Sequence, residues 1–299
     1  MIYRAFGKTD MNVSALGFGG AETGFGPTSA EELGRILGSA LDAGLNVIDT
    51  AECYGDGEEK IGKAVSHRRQ EFFLFTKCGH ASGLAGDDWE PDLLRRSIDR
   101  SLSRLQTDCV DLVQLHSCSL EHLRSGEVVE VLQRAREAGK TRYIGYSGDN
   151  EAARFAVESG AFDSLQISVS LADQSCLDTV LPAAEKSGIG VIAKRPIANA
   201  AWMHRDKLEE GAYARPYQDR LEALAYPFLA SRDAASVQIA LRFTLTCPVV
   251  STMIVGTTKP GRWEQNAKTV ELGPLDAGLF AEIRARWAEV SRPDWIGLT

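Results

Sequence analysis

The chain has 299 residues, of which 44% are hydrophobic and 25% are charged, so it carries enough apolar material for a large buried core. Its formal net charge of −8 disfavours binding to nucleic acid or to an anionic membrane surface. The amino terminus lacks a basic start followed by an apolar run, and no apolar run approaches the roughly 18 residues of a membrane span. We therefore expect a cytoplasmic protein with neither a membrane nor a nucleic-acid partner.

Short apolar segments alternate with amphipathic segments along the chain. The eight predicted strands are SALGFGG (14–20), NVIDT ending near Asp49, FFLFTK ending at Lys77, CVDLVQLH ending at His116, RYIGYS ending at Ser147, SLQIS around Gln166, GIGVIAK ending at Lys194 and VVSTMIVG ending at Gly256. Helices are predicted over about 28–43, over 91–105, up to 139, up to 246 and over about 275–291, with an irregular stretch at 197–233.

This alternation predicts an α/β fold, a closed (β/α)8 TIM barrel with an N-terminal β-hairpin, in one domain over residues 1–299. The hairpin is expected from YRAFG and MNVS around Lys8, Thr9 and Asp10. A doubly wound sheet is the alternative, but the chain has no GxGxxG phosphate turn. The segment GDGEEKIG has the wrong glycine spacing for that turn, and its acidic residues would repel a pyrophosphate.

The six cysteines include no CxxC pair. Without a secretion signal they are expected to be free thiols, and no metal site is predicted. We expect Cys109 and Cys247 to act as small buried apolar residues.

Polar residues end most of the predicted strands: Asp49, Lys77, His116, Ser147, Gln166 and Lys194. Each one alone has a structural explanation, as a helix cap, a solvated charge or a satisfied polar group. In a barrel, however, the carboxyl ends of the strands meet on the face that carries active sites. Six such residues on one face therefore predict a catalytic centre.

Tyr54 follows Asp49 by five residues, in a loop that can reach this face. A phenol has a pKa of about 10 and is a weak acid at neutral pH. A nearby ammonium lowers that pKa, and a carboxylate beyond the ammonium keeps it charged. Lys77 and Asp49 supply these two groups, while His116 can polarise a substrate carbonyl. The set predicts a site that donates a proton to a developing alkoxide.

These segments resemble the aldo-keto reductase family. IDTAECYGDGEEKIG, FTK, VDLVQLH, GKTRYIGYS, LQIS and VGTTKPGRWEQN are similar to its successive motifs, from Tyr3 to about Ala267. The resemblance implies reduction of an aldehyde or ketone by NAD(P)H. It assigns proton donation to Tyr54, activation of Tyr54 to Lys77, support of Lys77 to Asp49 and orientation of the substrate to His116.

The resemblance also implies the residues that bind the nucleotide. Ser147 and Gln166 match those that hold the carboxamide, and Lys194 and Arg195 occupy the region where an aromatic residue often stacks. The adenosine end is matched by Gly256, Thr257, Lys259, Arg262, Gln265 and Asn266. Gly148 replaces the usual asparagine, with Asp149 or Asn150 as substitutes. Lys259 and Arg262 favour NADP(H), and NAD(H) remains an alternative.

Two other functions are compatible with the sequence. One is a Schiff-base aldolase that uses Lys77 or Lys194 as the amine, and the other is a nucleotide-binding regulatory module with little turnover. The pocket walls are expected from the loops after Gly20, Cys78 and His116, from Trp202, Tyr213 and Tyr217, and from the tail with Trp295. The sequence specifies a small carbonyl substrate without fixing its identity, the oligomeric state or the direction of the reaction.

Overall fold

The computed structural model describes residues 1–298 and contains a closed barrel of eight parallel strands. The barrel strands, called first to eighth in chain order, are Leu16–Gly19, Val47–Asp49, Phe73–Cys78, Val110–His116, Thr141–Ser147, Ser164–Ser168, Gly190–Lys194 and Thr252–Val255. Each strand pairs with the next along the chain, and the eighth pairs with the first. The predicted barrel is confirmed.

Helices surround the barrel and connect its strands. The α-helices are Ala21–Phe25, Ala30–Asp42, Gly57–Val65, Pro91–Leu105, Leu120–Ser125, Glu127–Glu137, Asn150–Ser159, Ser175–Thr179, Leu181–Ser187, Arg215–Leu224, Ala234–Thr246, Arg262–Glu271 and Ala277–Val290, and the 3₁₀ segments are Ser66–Glu71, Ala198–Met203 and Pro227–Leu229. The helix Ala30–Asp42 begins with a capping box in which Ser29 and Glu32 bond each other's backbone amides. Its apolar stripe packs against the strands, so sequence periodicity located this helix to within two residues at each end.

The N-terminal hairpin closes the end of the barrel opposite the polar residues. Tyr3–Ala5 pairs antiparallel with Asn12–Ser14, as the sequence predicts. Between these strands Phe6 packs into the barrel interior, with its ring centre 5.5 Å from that of Phe75. It also lies against Gly190, the first residue of the seventh strand. An apolar plug at this end leaves the carboxyl end of the barrel as the face open to ligands.

The stretch 197–233 is more regular than predicted. It contains the helix Arg215–Leu224 between two 3₁₀ segments, and it forms a second apolar cluster with Trp287 of the last helix. Trp202 and Tyr217 are both buried in that cluster. The prediction of an irregular stretch was wrong here because the helix is short and amphipathic, with Leu221 and Leu224 as its buried leucines.

Among residues 1–298, no helix combines the length and apolar content that a bilayer crossing requires. The same residues bring together no group of three or more His, Cys, Asp or Glu side chains that could hold a metal ion. All six cysteines are free. Cys247 is buried as expected, but Cys109 is partly exposed at the start of the fourth strand, and its expected burial was wrong.

Candidate active site

Parallel pairing aligns the polar residues at the carboxyl ends of the strands. His116 lies opposite Ser147 on the next strand, and Ser147 lies opposite Gln166. Lys77 of the third strand lies opposite Gln114 of the fourth strand. Residues that share a register in a barrel and point the same way form one layer of side chains. The predicted site residues of the third to sixth strands therefore lie on one face.

Inside this layer, Asp49 and Lys77 form a buried ion pair. Lys77 Nζ lies 2.5 Å from Asp49 Oδ2, and both side chains are 2% exposed. Lys77 also donates to the carbonyl of Thr50 at 2.8 Å. The Nε2 atoms of Gln114 and Gln166 lie 3.3 and 3.4 Å from the Asp49 carboxylate. The charges are thus satisfied from several sides, as burial requires.

Tyr54 is placed by a tight loop between the second strand and the helix Gly57–Val65. Its amide donates to Ala51 O at 3.1 Å, and its carbonyl accepts from the Gly57 amide at 2.9 Å. The loop packs against Gly24, where a Cβ atom would lie 2.0 Å from Tyr54 O. Only glycine permits this approach, so Gly24 helps to fix the phenol over the barrel.

Two side chains of the predicted site, Lys77 and His116, lie against the Tyr54 ring. Lys77 Nζ lies 5.3 Å from the ring centre. The His116 ring lies 5.5 Å away and is nearly perpendicular, at 81°. On its far side, His116 Nδ1 lies 3.2 Å from Cys53 Sγ, a contact that the sequence did not predict. The only feature of the sequence that pointed to this contact was the position of Cys53 beside Tyr54.

The protonation states follow from burial and neighbouring charge. Burial disfavours the Lys77 ammonium, but attraction to the Asp49 carboxylate, followed by that to the phenolate form of Tyr54, outweighs it and raises the pKa of Lys77. Burial and then Lys77 lower the pKa of His116 well below its ordinary value, so the imidazole is neutral. Burial also raises the pKa of Tyr54, and the opposing effect of Lys77 is smaller. Lys77 thus acts on this pKa in the predicted direction, but desolvation of the phenolate outweighs it and the net shift is upward.

The predicted residues border a cavity of about 800 Å³ at the carboxyl end of the barrel. This volume lies in the range of small-molecule and cofactor sites. The site residues that line it are Tyr54, Lys77, His116, Ser147, Gln166, Lys194, Arg195 and Gly256. Phe25, Ser117 and Tyr213 also line it, which confirms the predicted walls from the loops after Gly20 and His116 and from the stretch 197–233. Trp202 and Tyr217 do not line it, and Trp295 packs on Trp287, so those three predictions were wrong.

Among the described residues, the side-chain oxygens of Gln114 and Gln166 are buried without a hydrogen-bond partner. Gln166 Oε1 is buried and accepts no hydrogen bond from the described residues. Such an oxygen is costly unless a donor reaches it. Because Gln166 lines the cavity beside Ser147, an amide N–H of a bound molecule could supply that donor. The two residues therefore fit the carboxamide of a nicotinamide ring.

The residues after the fifth and seventh strands are tied to the C-terminal tail. Lys194 Nζ lies 2.9 Å from Asp149 Oδ2. Asn150 exchanges two hydrogen bonds of 2.9 Å with the backbone of Gly297. Arg195 donates to the carbonyl of Leu298 and lies over the ring of Tyr213. Asp149 and Asn150, the substitutes considered for the asparagine that Gly148 replaces, therefore already contact other residues of the protein. Arg195 stacks on Tyr213.

The residues predicted for the adenosine end follow the eighth strand, and all of them except Gly256 lie outside the lining of this cavity. Lys259, Arg262 and Gln265 are exposed, whereas Thr257 and Asn266 are buried. Arg262 is the first residue of the helix Arg262–Glu271. They continue the rim from Gly256, which does line the cavity.

Comparison with known proteins identifies this architecture. The model of the Aldo/keto reductase family matches residues 15–288. The chain belongs to the aldo-keto reductase family. It is 30% identical to L-galactose dehydrogenase of Arabidopsis thaliana, over 98% of this chain and 96% of that protein. It is 27% identical to NADH-specific methylglyoxal reductase of Escherichia coli, over 93% and 96%.

Solved structures agree with this assignment. The holo form of an aldo-keto reductase from Bacillus halodurans superimposes with a TM-score of 0.80 and 29% identity, covering 98% of this chain and 97% of that one. This aldo-keto reductase is therefore an oxidoreductase of a family that acts on small carbonyl compounds with a nicotinamide cofactor.

Proposed function

We propose that this chain reduces an aldehyde or ketone to an alcohol with Tyr54 as the proton donor. The arrangement that supports this is the meeting of the Tyr54 phenol, the charged Lys77 and the neutral His116 at one cavity. A bound nicotinamide nucleotide supplies the hydride. The side chains then have to orient the carbonyl and neutralise the alkoxide as it forms.

Each side chain has a separate task in this proposal. Tyr54, which keeps its proton because burial raises its pKa, donates that proton to the developing alkoxide. Lys77 stabilises the phenolate left behind, and Asp49 keeps Lys77 charged. His116 is neutral and can donate a ring N–H to the carbonyl oxygen, which polarises it without placing another cation beside Lys77.

We further propose that this reductase prefers NADPH to NADH, to a moderate extent. Lys259 and Arg262 are exposed on either side of Gly261, where the helix Arg262–Glu271 begins. Cations are disfavoured near a helix N-terminus, so an anion between them would explain their placement. The names of relatives do not decide the matter, since one from Schizosaccharomyces pombe is named for NADP(+) and the Escherichia coli one for NADH.

The Schiff-base alternative has less support. Its amine must be uncharged to attack a carbonyl, yet Asp49 raises the pKa of Lys77. Burial lowers the pKa of Lys194, but Lys194 is held by Asp149 at 2.9 Å. Assays of NADPH and NADH consumption with a panel of aldehydes and ketones separate the possibilities. Carbonyl-dependent loss of nucleotide absorbance supports reduction, and covalent trapping of substrate by borohydride without such loss would support the aldolase.

A further inference from the structure

The thiol of Cys53 contacts the His116 ring but takes no part in the proposed mechanism. Cys53 Sγ lies 3.2 Å from His116 Nδ1, and within residues 1–298 the His116 ring makes no other hydrogen bond. His116 borders the cavity, whereas Cys53 does not. Because the thiol is separated from the cavity by the ring, it can influence a substrate only through His116.

The backbone on both sides of Cys53 is fixed. Glu52 donates its amide to the carbonyl of Lys77 at 3.1 Å, and its buried carboxylate lies 3.5 Å from Arg104 Nη1. Tyr54, on the other side, is held by its own backbone hydrogen bonds. With both neighbours anchored, the thiol stays within reach of His116.

Two aromatic rings pack against His116 without bonding to its nitrogens. The centre of the Tyr54 ring lies 5.5 Å away with an interplanar angle of 81°, and that of the His80 ring lies 5.3 Å away at 70°. Such edge contacts orient a ring, whereas its tautomer is set by the hydrogen bond that one of its nitrogens makes. For His116 that hydrogen bond is the one with Cys53.

Both partners of this hydrogen bond are uncharged. Burial lowers the pKa of His116 well below its ordinary value, and the cation of Lys77 lowers it further. Burial raises the pKa of the Cys53 thiol, and attraction to Lys77 opposes this rise without cancelling it. A cysteine beside a histidine acts as a nucleophile when the pair is a thiolate and an imidazolium. Burial disfavours that form here.

A hydrogen bond between a neutral thiol and a neutral imidazole has two possible directions. The S–H can donate to Nδ1, which leaves the ring hydrogen on Nε2, or an Nδ1–H can donate to sulfur, which leaves Nε2 bare. The thiol is the acid of this pair and the imidazole nitrogen is the base, whereas a thiol sulfur accepts only weakly. The first direction is therefore favoured.

We propose that Cys53 is a positioning residue for carbonyl reduction, because its S–H donates to His116 Nδ1 and keeps the ring hydrogen on Nε2, where it can bond the substrate oxygen. This inference rests on the proposed function and explains how His116 comes to be a donor. In the other tautomer, a bare nitrogen would face the lone pairs of the carbonyl oxygen and would not stabilise the developing alkoxide.

The position of the ring hydrogen can be measured by 15N NMR of protein labelled at histidine, without any substrate. The chain has five histidines, and the signals of His116 are those that disappear in His116→Ala. In the parent, Nε2 of His116 should carry the hydrogen and Nδ1 should be bare, whereas Cys53→Ala should show both tautomers. A parent ring with its hydrogen on Nδ1, or a Cys53→Ala ring that stays entirely in the Nε2–H form, would overturn the proposal.

Kinetic measurements test whether this tautomer matters for reduction. Cys53→Ala should lower kcat for an aldehyde by roughly 3- to 10-fold, the effect of one hydrogen bond, and change nucleotide affinity little. Cys53→Ser keeps an O–H that can donate to Nδ1 and should restore most of the loss. The control is Cys109→Ala, which removes a thiol just before the other end of the strand Val110–His116 and should leave kcat unchanged.

A double-mutant cycle distinguishes positioning of His116 from support of the Tyr54 loop. If Cys53 acts through His116, Cys53→Ala should have no further effect on kcat in the His116→Ala background. Equal losses in both backgrounds, or no rescue by Cys53→Ser, would mean that Cys53 only packs the loop and would overturn the proposal. Alkylation by iodoacetamide at neutral pH that is lost in Cys53→Ser would reveal a thiolate and would also overturn it. A parent that reduces no carbonyl compound would overturn the proposed function, which the NMR result distinguishes from a failure of the Cys53 contact.

Discussion

Lys77 and Asp49 form an ion pair inside the barrel, with a nitrogen–oxygen separation of 2.5 Å and both side chains 2% exposed. Removing two charges from water costs several kcal/mol per ion, and an apolar pair of similar volume is often as stable. The pair is therefore poorly explained by stability alone. Its position below the Tyr54 ring connects it to the protonation of the phenol.

The first prediction concerns the proton donor. Tyr54→Phe removes only the phenolic hydroxyl and should lower kcat for carbonyl reduction by about 10²–10⁴-fold. Because the hydroxyl acts in the transition state, nucleotide affinity should stay near the parent value, as measured by quenching of protein fluorescence. Turnover within a few-fold of the parent would exclude Tyr54 as the general acid.

The second prediction concerns the pH profile. Lys77→Met removes the cation that lowers the pKa of Tyr54 and leaves Asp49, which raises it. The alkaline limit of reduction should therefore move to higher pH, beyond that of a parent whose Tyr54 pKa is already raised by burial. In alcohol oxidation the rising limb should move the same way, since the phenolate is then the base. Unchanged limbs in a variant with residual activity would show that Lys77 does not act on Tyr54.

The third prediction concerns stability. Lys77→Met leaves Asp49 unpaired in the barrel interior and should reduce the free energy of unfolding by about 3–5 kcal/mol. Adding Asp49→Asn removes the uncompensated charge, so the double variant should be more stable than Lys77→Met alone. Urea unfolding of the parent, both single variants and the double variant gives the coupling energy. Additive losses would mean that the two charges do not stabilise each other.

The fold and most of the layer of polar side chains could be predicted from sequence, because a parallel barrel fixes which strand-end residues lie side by side. Once the eight strands are recognised, parallel register brings His116 beside Ser147 and Gln166 without further information. The helix Pro91–Leu105 was likewise predicted to the residue, since proline marks its first position.

Other features depend on loops and burial that periodicity does not encode. The contact of Cys53 with His116 and the turn that places His80 arise from loop geometry. Whether the pKa of Tyr54 lies above or below its ordinary value depends on how far the phenol is desolvated, which a sequence does not report. The place of His80 beside His116 could have been suspected from its position three residues after Lys77, in the loop after the third strand, since such loops surround barrel active sites.

The fourth prediction concerns Asp173, which is 1% exposed after the sixth strand. Burial, and then repulsion from Asp149, raise its pKa to about 7, although Arg220 opposes this. A folded-state pKa above the unfolded value means that the unfolded chain loses the proton first, so Asp173 reduces stability progressively as pH rises from about 4 to 7. Asp173→Asn should therefore raise the melting temperature more at pH 8 than at pH 5. Asp108→Asn, at an exposed site, is the control, and an equal change at both pH values would contradict the assignment.

The last prediction tests the nucleotide preference at Arg262. The 2′-phosphate of NADPH carries close to two negative charges, and a guanidinium can bind it with two parallel hydrogen bonds. Arg262 is exposed at the first position of its helix, so its truncation leaves no buried group unpaired. Arg262→Ala should weaken NADPH binding by about 1.5–3 kcal/mol, or roughly 10- to 150-fold, and change NADH binding little.

Lys268→Ala, in the last turn of the same helix, removes one positive charge without reaching the rim and should leave the NADPH/NADH ratio unchanged. Titrations of both nucleotides against the parent and the two variants measure this ratio, and equal losses of the two nucleotides in Arg262→Ala would mean that Arg262 does not contact the phosphate.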